Sequence, residues 1–272
     1  MAIEISVDVG GTFTDVVVRG ADGALETHKA STTPGRIAEG IFAGLELAAR
    51  RRGIALDALL GDCASFACGT TVATNAILEG KVAKTGMICT AGFRDTLTIR
   101  EGGKADTYNL YVDYPEPYIP RHLTFGVPER IDAEGGVLTP LDEAATRAAI
   151  ARMKEWGVEA VAVAFLWSIV NPAHELLVGR ILDEEWPGIP YSLSHQVTPT
   201  LREYRRFSAA AIDASLKPVV RVGIAEIEGR LRARGFRGTA SFVTSSGGRA
   251  APGDVLAKPV YLCMSGPAAA PY

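Results

Sequence analysis

Cysteine is scarce in this sequence, and no long apolar run occurs. The 272 residues include four cysteines, which show neither the paired spacing of a zinc site nor a dense disulfide framework. No stretch approaches the roughly 20 apolar residues of a membrane-spanning helix, and no signal-peptide pattern opens the chain. We therefore expect a cytoplasmic protein with reduced thiols and no membrane partner.

The chain also lacks an excess of either charge. Its 28 Lys and Arg residues stand against 31 Asp and Glu residues, which gives a net charge of −3 and a pI near 5.9. Nucleic-acid binding requires a concentrated basic surface, so we expect no nucleic-acid partner. Hydrophobic residues make up 47% and charged residues 22%, a composition typical of a globular protein and not of a disordered one.

What the sequence does contain is an opening pair of short segments rich in β-branched residues. These are Ile3–Val9 and residues 14–18, and Gly10, Gly11 and Thr12 lie between them. Such a pattern predicts a β-hairpin, because two glycines suit the tight turn that a hairpin demands. A dinucleotide-binding or P-loop protein would instead pass from its first strand through a glycine loop into a helix. The pattern therefore disfavours both of those motifs.

The predicted turn has the chemistry of a phosphate site. Glycines let backbone amides approach an anion, and Thr12 and Thr14 add hydroxyl donors at the same rim. Asp8 ends an apolar strand, where a bare carboxylate is costly to bury unless it faces a cation or a water bound to one. Asp15 stands on the far side of the turn. The residues alone leave open the alternative that these side chains only satisfy hydrogen bonds within the turn.

The segment DVGGTFTD at residues 8–15 resembles the first phosphate motif of the actin, Hsp70 and sugar-kinase superfamily. The resemblance implies a loop that holds the terminal phosphates of ATP and an aspartate that meets Mg²⁺ through water. Asp8 would be the residue at the metal. The implied phosphate-binding residues are Gly10, Gly11, Thr12, Thr14 and Asp15. A sugar or acetate-type kinase with the same loop is one alternative.

The following segments predict an α/β fold. Residues 25–30 continue the hairpin as a β-meander, and Thr33 with Pro34 predicts the start of a helix that ends near Gly53. These are the first elements of an RNase-H-like nucleotide-binding half. Farther along, helical stripes alternate with apolar segments such as residues 158–166, which predict a strand buried on both faces and an additional α/β layer. The second half of the fold is not expected within these residues.

A second segment of interest is GTTVATNAILEG at residues 69–80. An apolar strand leads into Thr70 and Thr71, and a short helical stripe follows. Because the first amides of a helix are unpaired, Thr70, Thr71 and Asn75 are candidates for orienting substrate or phosphate. The alternative is that the threonines only cap the helix. A Ser-Ser-Gly-Gly turn at residues 245–248 could also contact a ligand, but it is not included among the candidates.

Other polar residues favour structural roles. His174 and His195 have no Cys, His or carboxylate at metal spacing, so we expect each to be a structural histidine. The segment REYRR at residues 202–206 predicts a solvated, ion-paired helix face, and Pro218 predicts the start of a separate helix.

Six segments, taken in order along the chain, resemble the hydantoinase A and 5-oxoprolinase family. They are GTTVATNAILEG at 69–80, GFRD at 92–95, PERID at 128–132, NPAHE at 171–175, REYRR at 202–206 and SGPAA at 265–269. The resemblance implies an N-terminal family domain over residues 1–190 and the beginning of a hydantoinase A domain over residues 191–272. It also implies ATP-dependent opening of a cyclic amide, such as a hydantoin, 5-oxoproline or another lactam, by phosphorylation of the carbonyl oxygen. A hydantoinase B-like partner subunit in a hetero-oligomer is expected.

Two further alternatives follow from the same resemblance. The family includes subunits of ATP-dependent acetone and acetophenone carboxylases, which would make the substrate a ketone. Superfamily members also need a second phosphate loop, expected here shortly after SGPAA, and the sequence ends at Tyr272. We therefore expect this chain to be a portion of a longer subunit or a truncated product, inactive by itself. The second alternative is an assembly subunit whose hairpin no longer binds nucleotide.

Overall fold

The computed structural model describes residues 3–33, 35–102, 104, 106 and 108–265. The strands are β1 (Ile3–Val9), β2 (Phe13–Arg19), β3 (Leu25–Ser31), β4 (Cys63–Thr70), β5 (Thr85–Thr90), β6 (Thr124–Val127), β7 (Arg130–Ile131), β8 (Val137–Thr139), β9 (Ala160–Ala164), β10 (Tyr191–Leu193), β11 (Thr239–Val243) and β12 (Arg249–Ala250). The α-helices are α1 (Ile37–Arg51), α2 (Leu56–Gly61), α3 (Val72–Leu78), α4 (Thr96–Ile99), α5 (Glu143–Glu155), α6 (Ala173–Glu185), α7 (Ser194–Val197), α8 (Glu203–Ala233) and α9 (Pro252–Ala257). Among these helices, none combines the length and apolarity needed to cross a bilayer.

The chain divides into two compact units. The first unit consists of the residues up to Lys81 together with those from Val219 onward, and the second consists of Val82–Pro218. The expected boundary near residue 190, between the N-terminal family domain and the hydantoinase A domain, stays a prediction.

A mixed sheet forms the first unit, in the strand order β12-β11-β4-β1-β2-β3. Strands β1, β2 and β3 run antiparallel to one another, whereas β4 is parallel to β1 and β11 is parallel to β4. A meander of three strands followed by two parallel strands is the arrangement expected of one RNase-H-like half. The predicted fold class is therefore confirmed.

Side-chain alternation explains how β1 is held in this sheet. Ile5, Val7 and Val9 are buried on one face, whereas the residues between them are exposed on the other. Helix α1 covers the buried face at short range, because a Cβ on Gly44 would lie only 2.6 Å from Val16 Cγ2 on β2. The sheet thus has one face packed on a helix and one polar face that carries Asp8.

Helix α1 begins later than the sequence predicts. Its first residue is Ile37, whereas the sequence predicts Thr33 as the cap and Pro34, which lies outside the described residues, as the first helical residue. The physical reason is Gly35, whose φ of +76° is incompatible with a right-handed helix. The predicted end is correct, since Gly53 has a φ of +67° just past the last turn.

A parallel sheet forms the second unit, in the strand order β10-β9-β5-β6. All five residues of β9 are buried, as predicted for the apolar segment at residues 158–166. Residues of α5, α6 and α8 complete the core of this unit; among them are Ile150, Met153, Val178, Leu182 and Phe207. The expected additional α/β layer is present.

Helix α8 does not break at Pro218. It runs from Glu203 to Ala233, so the prediction of a separate helix starting at Pro218 is wrong. Proline cannot donate a backbone hydrogen bond and crowds the preceding turn, which normally breaks a helix. Here the carbonyl of Ser215, in that turn, accepts a hydrogen bond at 3.1 Å from the amide of Ala83 outside the helix. This tertiary bond anchors the turn before Pro218 to a residue outside the helix.

Candidate functional site

The connection between β1 and β2 presents unpaired backbone amides. The Gly10 amide donates to the Phe13 carbonyl at 2.9 Å, and the Thr12 carbonyl accepts from the Thr32 amide at 2.9 Å. Within the described ranges, the amides of Gly11 and Thr12 donate no backbone hydrogen bond. A Cβ on Gly11 would have no atom within 4 Å, so the space around the turn is open. The turn therefore offers donors to an anion.

The space that a side chain would occupy, and not the backbone conformation, explains why residues 10 and 11 are glycines. Neither Gly10 nor Gly11 has a φ in the left-handed region, so the hairpin itself does not demand glycine at either position. A Cβ on Gly10 would lie 3.0 Å from the Phe13 carbonyl oxygen, which is too close for an ordinary contact. At Gly11, any side chain would project into the open space beside the free amides.

Asp8 and Asp15 lie opposite each other on β1 and β2. Both occupy the face of the sheet that α1 does not cover, so Asp8 is more exposed than the sequence suggested. The reason is strand alternation, which buries its neighbours Val7 and Val9 instead. Lys29 Nζ lies 2.9 Å from Asp15 Oδ1, whereas Asp8 forms no ion pair with a described residue. Partial burial raises the pKa of Asp8, and the charge of Asp15 raises it further.

The surroundings of Asp8 fit a magnesium ion held through water. Gly69 on β4 is the register partner of Asp8, and a Cβ there would lie 3.1 Å from Asp8 Oδ1, so the glycine leaves room beside the carboxylate. Mg²⁺ keeps several waters and is usually bound by one or two carboxylates and by substrate phosphates. In the part of the chain that the structure describes, no three His, Cys, Asp or Glu residues form a complete metal cage. Asp8 can therefore contribute to such an ion only together with water and a ligand.

Thr14 does not join these residues. Its side chain is fully buried, and its Oγ1 lies 2.8 Å from Thr32 Oγ1. Because side chains alternate along β2, Thr14 faces α1 while Asp15 faces the opposite side. The sequence predicts the Thr14 hydroxyl at the rim of the turn. In the structure this hydroxyl is buried and forms a structural hydrogen bond instead.

Thr70, Thr71 and Asn75 connect the start of α3 to the end of β1. Thr70 is buried, and its Oγ1 accepts at 3.2 Å from the amide of Val72, the first residue of α3, whereas the N-cap residue Thr71 makes no capping hydrogen bond with its side chain. The hydroxyl of Thr71 donates to the Val9 carbonyl at 3.3 Å and accepts from Asn75 Nδ2 at 3.1 Å. Thr71 and Asn75 are half-buried, next to the turn that follows Val9. The structure therefore brings these two residues, and not the Thr70 hydroxyl, to the edge of the site.

A third connection belongs to the same end of the sheet. The turn after β11 is held by Thr244, whose hydroxyl donates to the Gly248 carbonyl at 3.3 Å, and Gly247 has a φ of +79°. Strand β11 is parallel to β4, which is parallel to β1, so all three strands end at one edge. Ligands of α/β sheets bind at the carboxyl ends of parallel strands. In the sequence, the Ser-Ser-Gly-Gly pattern after an apolar strand is the feature that indicates this turn.

The second unit contains a buried polar network that the sequence did not reveal. Glu175 is fully buried and accepts from the Phe165 amide at 3.0 Å and the Ser194 hydroxyl at 2.5 Å, while His195 Nδ1 lies 2.6 Å from its other oxygen. Arg206 donates to Ser194 Oγ at 3.1 Å and to the Phe165 carbonyl at 2.7 Å. The network joins the NPAHE and REYRR segments.

The position of Arg206 contradicts the predicted solvated helix face, whereas His174 and His195 agree with their predicted structural roles. The Arg206 side chain is only 2% exposed, so the expected solvated face is wrong at this position, although Arg205 does pair with Glu101 at 2.8 Å. Burial lowers the pKa of Arg206. His174 Nδ1 lies 2.8 Å from a carboxylate oxygen of the buried Glu129. Both His174 and His195 therefore have structural partners, as predicted.

Two family models match the sequence. The model described as hydantoinase/oxoprolinase N-terminal region matches residues 4–186. The chain belongs to the hydantoinase/oxoprolinase family. A second model, described as hydantoinase/oxoprolinase, matches residues 206–270. The resemblance inferred from the six sequence segments is confirmed.

Relatives of this hydantoinase/oxoprolinase chain are considerably longer than the chain itself. Caprolactamase subunit alpha of Pseudomonas jessenii is 37% identical over 270 residues, which cover 98% of this chain and 39% of the relative. Acetophenone carboxylase gamma subunit of Aromatoleum aromaticum is 34% identical, and the match covers 96% of this chain and 37% of the relative. The crystal structure of ATP-dependent caprolactamase from Pseudomonas jessenii matches with a TM-score of 0.89 and 36% identity, covering 98% of this chain and 39% of that one. The chain thus spans about two fifths of the length of these relatives.

Proposed function

We propose that this chain is the ATP-binding portion of a hydrolase subunit that opens a cyclic amide, such as a hydantoin, 5-oxoproline or another lactam. The observation that carries the proposal is the turn at residues 10–12, where the Gly11 and Thr12 amides donate no described backbone hydrogen bond and follow Asp8 at the end of β1. Family membership supports ATP-dependent chemistry. The similarity to a caprolactamase subunit supports a cyclic amide as substrate.

Each residue of the site has a role in this proposal. The amides of Gly11 and Thr12 hold the terminal phosphates of ATP, with Gly10 shaping the turn. Asp8 orients the water of a magnesium ion. Asp15, paired with Lys29, supports the turn. Two further residues, Thr71 and Asn75, hold the start of α3 against β1 and orient substrate or phosphate at the edge of the turn.

The proposed reaction requires no covalent bond between the chain and the substrate. When bound, ATP with Mg²⁺ would supply the phosphoryl group that makes the carbonyl oxygen of a cyclic amide a better leaving group. Phosphoryl transfer depends mainly on positioning and on charge neutralisation, so a backbone cradle and a carboxylate suffice on this side of the site. Ring opening would require a hydantoinase B-like partner subunit, and the protein would work as a hetero-oligomer in the cytoplasm.

One alternative is supported by a specific relative. The acetophenone carboxylase gamma subunit is 34% identical to this chain, so the same cradle could serve phosphorylation of a ketone enolate before carboxylation. In that case the substrate would be an aliphatic or aromatic ketone together with bicarbonate. An assembly subunit without nucleotide binding is the remaining alternative.

Phosphate release by the complete subunit with its partner tests the proposal. A panel of hydantoins, 5-oxoproline, other lactams and ketones with bicarbonate would be assayed with Mg²⁺ and ATP. We expect one cyclic amide to stimulate turnover and to be opened. Asp8→Asn keeps the side-chain shape and should lower kcat by roughly 100-fold or more. Glu4→Gln is the matched control, because Glu4 lies on the same strand in an exposed pair with Arg19, and it should leave kcat unchanged.

Each contrary result is specific. Undiminished turnover in Asp8→Asn would remove the proposed metal role. Turnover that requires a ketone and bicarbonate would identify the carboxylase alternative. Calorimetry that detects no binding of ATP with Mg²⁺ to the complete subunit would favour the assembly alternative.

A further inference from the structure

The second unit contains a cleft that the proposed nucleotide site does not use. Its volume is about 410 Å³, within the range of small-molecule sites. Residues from the GFRD segment, from the end of α4 and from the start of α8 line it. Among its lining residues are Phe93, Ile99, Arg100, Arg202, Glu203 and Tyr204. We refer to this feature as the Arg100 cleft.

Most carboxylates on the wall of the Arg100 cleft already have partners. Asp95 accepts two hydrogen bonds from Arg121, at 2.5 and 3.3 Å, and this arginine lowers the pKa of Asp95. Glu101 accepts from Arg205 at 2.8 Å. The two charges of each pair cancel, so a ligand in the cleft experiences little net charge from them.

The two arginines on the wall lack such partners. Neither Arg100 nor Arg202 forms an ion pair with a residue that the structure describes, and Arg100 Nη2 donates only to the Glu116 carbonyl, at 3.3 Å. Arg100 Nε is buried and has no hydrogen-bond partner among the described residues. A buried donor without an acceptor is unfavourable, and a cationic one especially so. The guanidinium group is therefore suited to a further acceptor that is negatively charged.

Backbone conformation singles out the same two residues. Arg100 has φ of 62° and ψ of −155°, a combination that essentially only glycine adopts without strain. Arg202 has φ of 75°, which is also in the left-handed region. Strained residues concentrate at ligand-binding positions, and here two of them with unpaired positive charges line one cleft.

We propose that the Arg100 cleft binds a small organic carboxylate, with its charge on Arg100 and Arg202 and its apolar body against Phe93 and Ile99. Phe93 is 38% exposed and Ile99 is 59% exposed, so both leave apolar surface open to a ligand, and the Arg130 guanidinium lies 5.6 Å from the centre of the Phe93 ring. Glu203 has no ion-pair partner in the described ranges and adds a negative charge to the wall. A monoanion with an apolar body therefore fits better than a doubly charged phosphate. The proposal does not depend on the nucleotide site.

Calorimetry on the complete subunit, without nucleotide and at constant ionic strength, tests the proposal. The probes are benzoate, its uncharged analogue benzamide, and inorganic phosphate. We expect saturable binding of benzoate at one site, with no binding of benzamide and no displacement by phosphate. Arg202→Gln alters an exposed side chain and should weaken benzoate binding at least 5-fold. Arg152→Gln, on the exposed surface of α5, is the control and should bind benzoate like the wild type.

Arg100→Gly separates a binding role from a structural one. Glycine adopts the backbone conformation of Arg100 without strain, so this variant should keep or raise the Tm while its benzoate affinity falls at least 10-fold. The proposal is overturned if benzoate shows no saturable binding, if benzamide binds equally well, or if phosphate displaces benzoate. It is also overturned if both arginine variants bind benzoate normally, or if Arg100→Gly lowers the Tm while Arg202→Gln leaves binding intact.

Discussion

At the scale of single residues, Asp8 combines a functional role with a cost to stability. Its carboxylate lies directly across from Asp15, and like charges opposite each other on two strands are destabilising. Lys29 pairs with Asp15 and leaves Asp8 without a described cation. Such a group is expected where a bound ion completes the site, because function there opposes stability.

We therefore expect Asp8→Asn to stabilise the ligand-free protein. The folded-state pKa of Asp8 is raised, so its ionised form opposes folding as the pH rises above the ordinary value of an aspartate. Removing the charge should add about 0.5 kcal/mol near pH 7, or about 1–2 °C in Tm, and the gain should vanish in strong acid. Thermal unfolding with and without Mg²⁺ and ATP would measure this. A lower Tm in the ligand-free variant would show that Asp8 is instead a structural residue.

His28 determines a different pH dependence. It is 5% exposed, neither ring nitrogen has a hydrogen-bond partner in the described chain, and Glu26 Oε2 is 3.7 Å from Nε2. Burial lowers the pKa of His28, and the charge of Arg51 lowers it further. The unfolded chain therefore binds a proton more readily than the folded one, so His28 reduces stability as the pH falls below about 6.5.

Replacing this histidine should flatten that dependence. We expect His28→Leu to lose less free energy of unfolding between pH 7 and pH 5 than the wild type, because no buried imidazole remains to be protonated. Urea unfolding at several pH values measures the difference. His122→Gln, at an exposed position, should keep the wild-type slope. Parallel curves for His28→Leu and the wild type would contradict this explanation.

The sequence predicted some residues of the site but not others. The glycines and Asp8 could be found because a short motif fixes their order on a hairpin. Thr14 was misjudged although the signal was present, since it shares the period of the buried Val16 and Val18. Arg206 could not be placed, because its partners come from Phe165, Ser194 and Thr200, which only the fold brings together.

At the scale of elements, local patterns predicted the meander well and failed at α8. Strand alternation and turn residues are encoded within a few positions, so β1 was predicted at its observed bounds and β2 and β3 within one residue at each end. The continuity of α8 through Pro218 depends instead on tertiary packing, and the hydrogen bond from the Ala83 amide to the Ser215 carbonyl is one such contact with a residue far away in the sequence. No local rule contains that information.

The proline within α8 gives a prediction for the helix. Pro218→Ala should raise the free energy of unfolding by about 1–2 kcal/mol, because alanine restores a backbone donor while the unfolded chain gains some entropy. Urea unfolding followed by circular dichroism would measure this. Pro252→Ala is the comparison, since Pro252 begins α9, where proline is favourable, and that change should not stabilise. Destabilisation by Pro218→Ala would mean that the distorted turn itself is required.

At the scale of the whole molecule, the sequence identified the family but not the compact units. Six short segments in a fixed order were sufficient for the family, because each is local. The units depend on contacts between distant parts of the chain, since β11 joins the sheet that the first residues begin and the last part of α8 contacts α1. The chain spans 39% of its caprolactamase relative, so the activity of the whole protein stays a proposal.

The most direct test is a crystal structure of the complete subunit with Mg²⁺ and a non-hydrolysable ATP analogue. We predict that the terminal phosphates contact the backbone amides of Gly11 and Thr12, and that a water of the metal contacts Asp8. A nucleotide bound elsewhere in the subunit, with only solvent around Gly11, would contradict the account.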